Sequence, residues 1–116
     1  MGHFEDVNRT ALVVSPKKPF FDWLKTVDPT TPMQDEKHDS KTIYLLPEDG
    51  DNGKWERYLK KHYHKIFEQE LETWVTNPVL WPKDLSRQMF TEWLDYEFHS
   101  VILDTLDGPL EKEGAI

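Results

Sequence analysis

The 116-residue sequence contains no cysteine, and this absence excludes several kinds of chemistry at once. Without thiols the chain has no disulfide scaffold, no thiolate zinc site, no iron–sulfur cluster and no cysteine nucleophile. Basic residues are also scarce, since 14 Lys and Arg stand against 22 Asp and Glu, for a net charge of −8. Because nucleic-acid affinity comes mostly from clustered Lys and Arg, we expect no nucleic-acid partner, and anionic membrane surfaces are disfavoured for the same reason.

Long apolar runs and familiar catalytic signatures are missing as well. No segment approaches the ~20 apolar residues of a membrane span, and the N-terminus lacks the basic-then-apolar pattern of a signal peptide. The sequence has no G-x-S-x-G elbow and no glycine-rich phosphate loop. We therefore expect a soluble, cytoplasmic protein without a cofactor, and we favour a non-enzymatic role.

The sequence is instead rich in aromatic residues, which make up 13% of the chain and include five Trp. Disordered acidic segments are poor in aromatics, so this chain should fold. Each large ring can bury roughly 150–250 Å², which predicts a small, aromatic-rich core in one domain spanning residues 1–116. We expect loose ends at 1–8 and 109–116 and a mobile loop at 28–41, where the sequence is polar and has little to bury.

The spacing of apolar residues divides the chain into strands and helices. Short apolar runs closed by proline predict buried strands at 9–15 and 42–46. Apolar positions at helical spacing predict helices over 19–27, 54–74 and 84–92.

The segment 94–104 is open to two interpretations. Leu94, Tyr96 and Phe98 alternate with polar residues, as in a strand with one buried face. The same segment also fits a helix that continues over 84–106. We favour the strand because the alternation is strict over six residues and β-branched residues follow it.

Together these elements predict an α/β (or α+β) fold in the order βαβααβ. A strand–helix–strand unit almost always crosses over between parallel strands. We therefore expect a small three-stranded, mainly parallel or mixed sheet with about three helices. If residues 84–106 form a single helix, the fold becomes a βαβ unit with a helical cap.

Signatures at both ends of the chain resemble a family of small uncharacterised bacterial proteins. The opening signature, PKxPFxDWL, matches Pro16 to Leu24, and the closing signature, FxxWFxxxFHSxVxD, matches from Phe90 to Asp104. Leu94 stands where the family pattern has an aromatic residue. Tyr44-Leu45-Leu46-Pro47-Glu48 and Trp81-Pro82 match the middle of the pattern, so the resemblance covers about residues 9–110. The family has no established activity, so the resemblance implies a bacterial origin but no function.

The most notable polar set is Asp95, Glu97 and His99, with Asp104 nearby. On a strand the first three project from one face, about 7 Å apart. Two carboxylates and an imidazole at that spacing can bind a divalent metal or carry acid–base chemistry. The interpretation that we favour, because the local set has only one histidine, is an exposed, charged sheet face that discourages edge-to-edge pairing. On a helix, Asp95 and His99 would instead form an i, i+4 pair without Glu97.

Two further features are candidates for binding. Lys17 and Lys18 lie beside a predicted helix start, where the carboxyl ends of parallel strands would form an anion-binding rim. We favour a solvated turn without a ligand there, because prolines remove two of the backbone N–H donors that would bind an anion. Trp81 lies in a predicted connection between helices. It either plugs the core from outside, which we favour, or belongs to an exposed interface for a partner.

These features support two hypotheses of function. The leading hypothesis is a non-catalytic protein-interaction or regulatory module whose partner is another protein, and an acidic chain should be steered toward basic partners. The alternative is a metal- or small-ligand-binding protein, or an enzyme, that uses Asp95, Glu97, His99 and Asp104. The sequence leaves the oligomeric state open.

Overall fold

The computed structural model describes residues 3–30, 40–48 and 54–114, and in these ranges the protein has an α+β fold. Three α-helices accompany two antiparallel sheets in the described part of the chain. The elements are β1 (Glu5–Asp6), β2 (Arg9–Pro16), α1 (Lys18–Val27), β3 (Thr42–Pro47), α2 (Lys54–Trp74), α3 (Arg87–Trp93), β4 (Leu94–His99) and β5 (Leu103–Asp104), with a 3-10 turn at Pro78–Leu80. The order is therefore longer than the predicted βαβααβ, because a short strand is added at each end.

The main sheet has three strands in the order β3–β2–β4, and both pairings are antiparallel. The expectation of mainly parallel strands is therefore wrong. Apolar runs report which strands are buried, but they do not encode the direction of a strand. The continuous apolar sequence of β2 fits its place in the sheet. It is the central strand, with a neighbouring strand on each side, and most of its residues are buried.

The preference for a strand after α3 is confirmed over Leu94–His99. The strand is shorter than predicted, because the chain leaves the main sheet and Leu103–Asp104 pairs with Glu5–Asp6 in a second, two-stranded sheet. The N-terminal segment predicted to be loose therefore contains a strand. Of the predicted mobile loop, residues 31–39 lie outside the described ranges.

The two sheets form one antiparallel arm that contains a bulge. Ala11 is opposite His99, and Asp6 is opposite Leu103, so five residues on one side span the same stretch as four on the other. One extra residue is thus accommodated between β1 and β2, as in a β-bulge. The N–H of Val7 donates to the carbonyl of Ile102 at 2.8 Å and keeps the two sides joined there.

The core lies between one face of the main sheet and the helices. Leu12 and Val14 of β2 are fully buried, and they belong to one cluster with buried rings from α1, α2 and α3. Phe90 of α3 illustrates the ring packing, since it contacts Phe67 edge-to-face at 5.8 Å between centroids. The prediction of a small, aromatic-rich core is confirmed. Because successive residues of a strand point to opposite faces, the remaining half of each strand's side chains points away from this core.

Candidate functional site

The sheet face that points away from the core carries exposed apolar side chains on one strand and charged side chains on another. We call it the open face and define it by these outward-pointing residues: Ala11, Val13 and Ser15 of β2; Ile43 and Leu45 of β3; and Asp95, Glu97 and His99 of β4. Val13 lies in register between Ile43 on one side and Glu97 on the other.

One half of the open face is apolar and exposed. The side chain of Ile43 is 63% exposed and that of Leu45 is 51% exposed. They are adjacent outward positions on β3, and the next strand places partly exposed Val13 beside Ile43 and buried Ala11 beside Leu45. Single exposed apolar residues are ordinary, but a row of neighbours on a rigid sheet is typical of a contact surface.

The other half of the open face is charged, and it contains three of the four residues predicted as a ligand cluster. Asp95, Glu97 and His99 project from the same face of β4, as the strand interpretation requires. Nε2 of His99 lies 2.6 Å from Oε1 of Glu97, and both side chains are at least half exposed. Asp95 also makes a local contact, since its Oδ1 accepts a 3.1 Å hydrogen bond from the N–H of Tyr96.

Asp104, the fourth member, does not join that cluster. It lies on β5 in the second sheet, where its Oδ1 accepts a 2.9 Å hydrogen bond from the N–H of Leu106. In residues 3–30, 40–48 and 54–114, no group of three His, Asp or Glu side chains is arranged to hold a metal ion. The β4 residues therefore form a charged stripe, with one tight His–Glu pair, beside the apolar half of the open face.

The candidate anion rim at Lys17 and Lys18 does not form. In an antiparallel sheet the carboxyl ends of β2 and β3 lie at opposite edges, so the predicted rim has no second side. The ammonium of Lys17 donates to the carbonyl of Thr91 at 2.9 Å, and that of Lys18 pairs with Asp22 at 2.9 Å. Both ammonium groups thus already have partners within the protein, one on α3 and one on α1.

Trp81 occupies the position expected of a plug. Its ring is half-buried and packs against the core cluster. Its Nε1 donates a 2.7 Å hydrogen bond to the carbonyl of Val75, just after the end of α2. The ring therefore closes the connection between α2 and α3, and most of its surface is committed to that role.

One functional group that sequence reasoning missed is a buried carboxyl group. Glu70 of α2 is only 2% exposed, and its Oε2 accepts a 2.6 Å hydrogen bond from the hydroxyl of Tyr44. Burial raises the pKa of Glu70 above its ordinary value, although hydrogen bonds from Tyr44 and Thr42 act in the opposite direction. A signal was present in the sequence, because Glu70 occupies the same helical stripe as Tyr63, Phe67 and Trp74.

Comparisons with known proteins add no relative: no protein-family model, no curated protein and no solved structure matches the chain. The resemblance of its two end signatures to a bacterial family therefore stays a prediction from the residues. Among the described helices, none combines the length and the apolar character that crossing a membrane requires.

Proposed function

We propose that the protein is a non-catalytic interaction module whose open face binds an amphipathic segment of another protein. The segment would present a row of apolar side chains flanked on one side by Lys or Arg. The observation that carries this proposal is the register of the main sheet, which sets exposed Ile43 and Leu45 two strands away from Asp95, Glu97 and His99.

The apolar half supplies affinity by burial. Completely burying an Ile or Leu side chain contributes about 1.5–3 kcal/mol, and since Ile43 and Leu45 are roughly half exposed, covering both is worth about 2 kcal/mol. The strands on both sides of Val13 already hold the surface in place, so little conformational entropy is lost in ordering it when a partner binds. A helix or strand laid across the face can reach the charged stripe, since adjacent strands are about 4.8 Å apart.

The charged half determines what kind of partner fits. Asp95 and Glu97 are exposed acids beside the apolar row, and the whole chain carries a net charge of −8. A basic partner is therefore attracted at long range and paired on contact. A second copy of the chain brings the same excess of negative charge, so self-association through this face is electrostatically disfavoured.

The proposal is tested with two designed amphipathic peptides of equal length, one Leu/Lys and one Leu/Glu. Titration followed by amide chemical shifts should show the Leu/Lys peptide binding, with the largest changes at Val13, Ile43, Leu45 and Glu97. The double variant Ile43→Ser/Leu45→Ser should weaken binding about thirtyfold, in line with the burial estimate of about 2 kcal/mol. The matched control is Val79→Ser/Leu80→Ser, which removes two exposed apolar side chains from the 3-10 turn at Pro78–Leu80, outside the main sheet.

Three outcomes would overturn the proposal. They are equal binding of the Leu/Glu peptide, a loss of affinity in the control variant as large as in the open-face variant, and chemical-shift changes that lie outside the sheet. Sedimentation measurements add a fourth: a dimer that dissociates on Ile43→Ser/Leu45→Ser would assign the face to a second copy of the chain instead.

A further inference from the structure

A groove runs between β3 and the part of α2 from Lys54 to Gln69, on the side of β3 opposite to the open face. It consists of two adjoining hollows of about 320 and 270 Å³ that share Leu46 and Tyr58 as lining residues. We call it the basic groove. The larger hollow is at the lower end of the range for small-molecule sites, and the smaller one is just below it.

The lining of the basic groove is cationic in an otherwise acidic protein. Four basic side chains of α2 border it, namely Lys54, Arg57, Lys61 and Lys65. No Asp or Glu is among the described residues that line either hollow, although the chain has 22 acidic residues. Among the described lining residues, the charged side chains are therefore all basic.

The cations are also placed against the preference of the helix that carries them. The N-terminal end of a helix is the positive end of its dipole, so Lys and Arg there cost roughly 0.3–1 kcal/mol each within the first turn. In α2, Lys54 and Arg57 are nevertheless at that end, and the last turn has no basic residue. Glu56 in the same turn has the favourable sign and offsets part of this cost, and the cations concentrate positive potential on the groove.

Two of the cations are available to a ligand. In the part of the chain that the structure describes, no hydrogen bond or ion pair holds the ammonium of Lys61 or Lys65. The two residues are one helical turn apart, so their side chains project side by side. Their combined charge of +2 balances the two negative charges of a phosphate monoester dianion at neutral pH, and lysine is a common phosphate ligand.

The other walls of the groove are flat and held in place. Trp55 stacks on Phe98 with 5.3 Å between ring centroids and 26° between planes. Tyr58, which lines both hollows, packs against the ring of His62 at 4.2 Å. Aromatic faces fixed in this way suit a flat ring, which can lie against them without reordering the site.

We propose that the basic groove binds a small organic phosphate in which a flat ring is joined to a phosphate monoester. The ring lies against Tyr58 and Trp55, and the phosphate is held by Lys61 and Lys65. This site is independent of the interaction module proposed above, because Tyr44 and Leu46 face the groove side of β3 whereas Ile43 and Leu45 face the other.

The test is a calorimetric titration with 1-naphthyl phosphate and with AMP, beside 1-naphthol and inorganic phosphate as the separated halves. At least one of the two ring phosphates should bind about tenfold more tightly than either half. Lys61→Gln/Lys65→Gln should weaken that binding about tenfold, and so should raising the salt from 50 to 500 mM. The matched control is Lys60→Gln, on the same helix but outside the groove lining.

The two ring phosphates distinguish an aryl from a nucleoside source. The proposal is overturned when neither binds at millimolar concentration. It is equally overturned when 1-naphthol binds as tightly, which marks a purely apolar slot, or when inorganic phosphate does, which marks an adventitious ion only. If Lys60→Gln weakens binding as much as Lys61→Gln/Lys65→Gln does, the affinity depends only on the overall charge of the protein. Phosphate binding is then not assigned to Lys61 and Lys65.

Discussion

The hydroxyl of Tyr44 donates a 2.6 Å hydrogen bond to Oε2 of Glu70, and this bond joins β3 to α2 beneath the basic groove. Glu70 is fully enclosed, so its carboxyl loses its hydration, and burial is the largest cause of its raised pKa. Tyr44 and Thr42 lower the pKa by hydrogen bonding but do not offset the burial. Burial and the neighbouring Glu70 also raise the pKa of Tyr44, so its hydroxyl stays protonated as the donor.

The first prediction concerns the pH dependence of stability. Because the pKa of Glu70 is higher in the folded than in the unfolded state, the folded chain binds its proton more readily. The stabilising contribution is complete below the unfolded pKa and is lost as the pH rises through the folded value. The variant Glu70→Gln should therefore gain stability relative to the parent protein between pH 4.5 and pH 8, as measured by urea unfolding. Glu72→Gln, at an exposed position two residues further on, should show no such trend.

The second prediction concerns a variant that removes the hydroxyl donor of Tyr44 but keeps its aromatic ring. Tyr44→Phe leaves Glu70 with Thr42 as its remaining hydroxyl donor, which should cost about 1–3 kcal/mol of unfolding free energy at pH 7. The cost should shrink toward pH 5, where more of the carboxyl is protonated. Tyr58→Phe is the control, since the Tyr58 hydroxyl has no hydrogen bond within the described residues. A cost that is the same at both pH values would contradict a bond to a charged carboxylate.

The third prediction distinguishes a plug from an interface at Trp81. Trp81→Phe removes the hydrogen bond to the carbonyl of Val75 and should destabilise the fold by about 1 kcal/mol. Trp81→Ala also removes the ring from the core and should cost about 3 kcal/mol. Chemical denaturation measures both values. A loss for the alanine variant within about 0.5 kcal/mol would instead indicate a ring that the fold does not need.

The fourth prediction concerns the His99–Glu97 pair. Its two side chains are largely in water, so His99→Ala should change the unfolding free energy by no more than about 0.5 kcal/mol. Since the described residues offer no third ligand nearby, millimolar Zn²⁺ or Mn²⁺ should not raise the melting temperature. A metal-dependent rise that disappears in His99→Ala would restore the predicted metal site.

Much of the local structure was predictable from the residues, because it depends on short-range periodicity. The helix predicted at 54–74 is found at Lys54–Trp74, and strict alternation correctly favoured a strand from Leu94. Strand direction was not predictable, since an apolar run looks the same in either direction. The anion-binding rim predicted at Lys17 and Lys18 was wrong for the same reason. Such a rim requires the carboxyl ends of two parallel strands at one edge of the sheet.

The candidate sites were predictable only where they lie on one element. Asp95, Glu97 and His99 share a face because they alternate on one strand. The open face as a whole needs the register of three strands, and the basic groove needs β3 packed beside α2. Glu70 was visible as a polar residue on an apolar stripe, but its partner Tyr44 comes from another element.

The position of β2 between β3 and β4 also has a consequence for how the chain folds. Ala11 pairs with Leu45 on one side and with His99 on the other, so the sheet requires a segment that leaves the ribosome 88 residues after Ala11. Long loop closures of this kind slow folding. Until β4 emerges, the most apolar strand of the protein has one edge without a partner, and such an edge is prone to pair with other chains. Completion of the closing segment therefore ends the period in which the nascent chain is most exposed to aggregation.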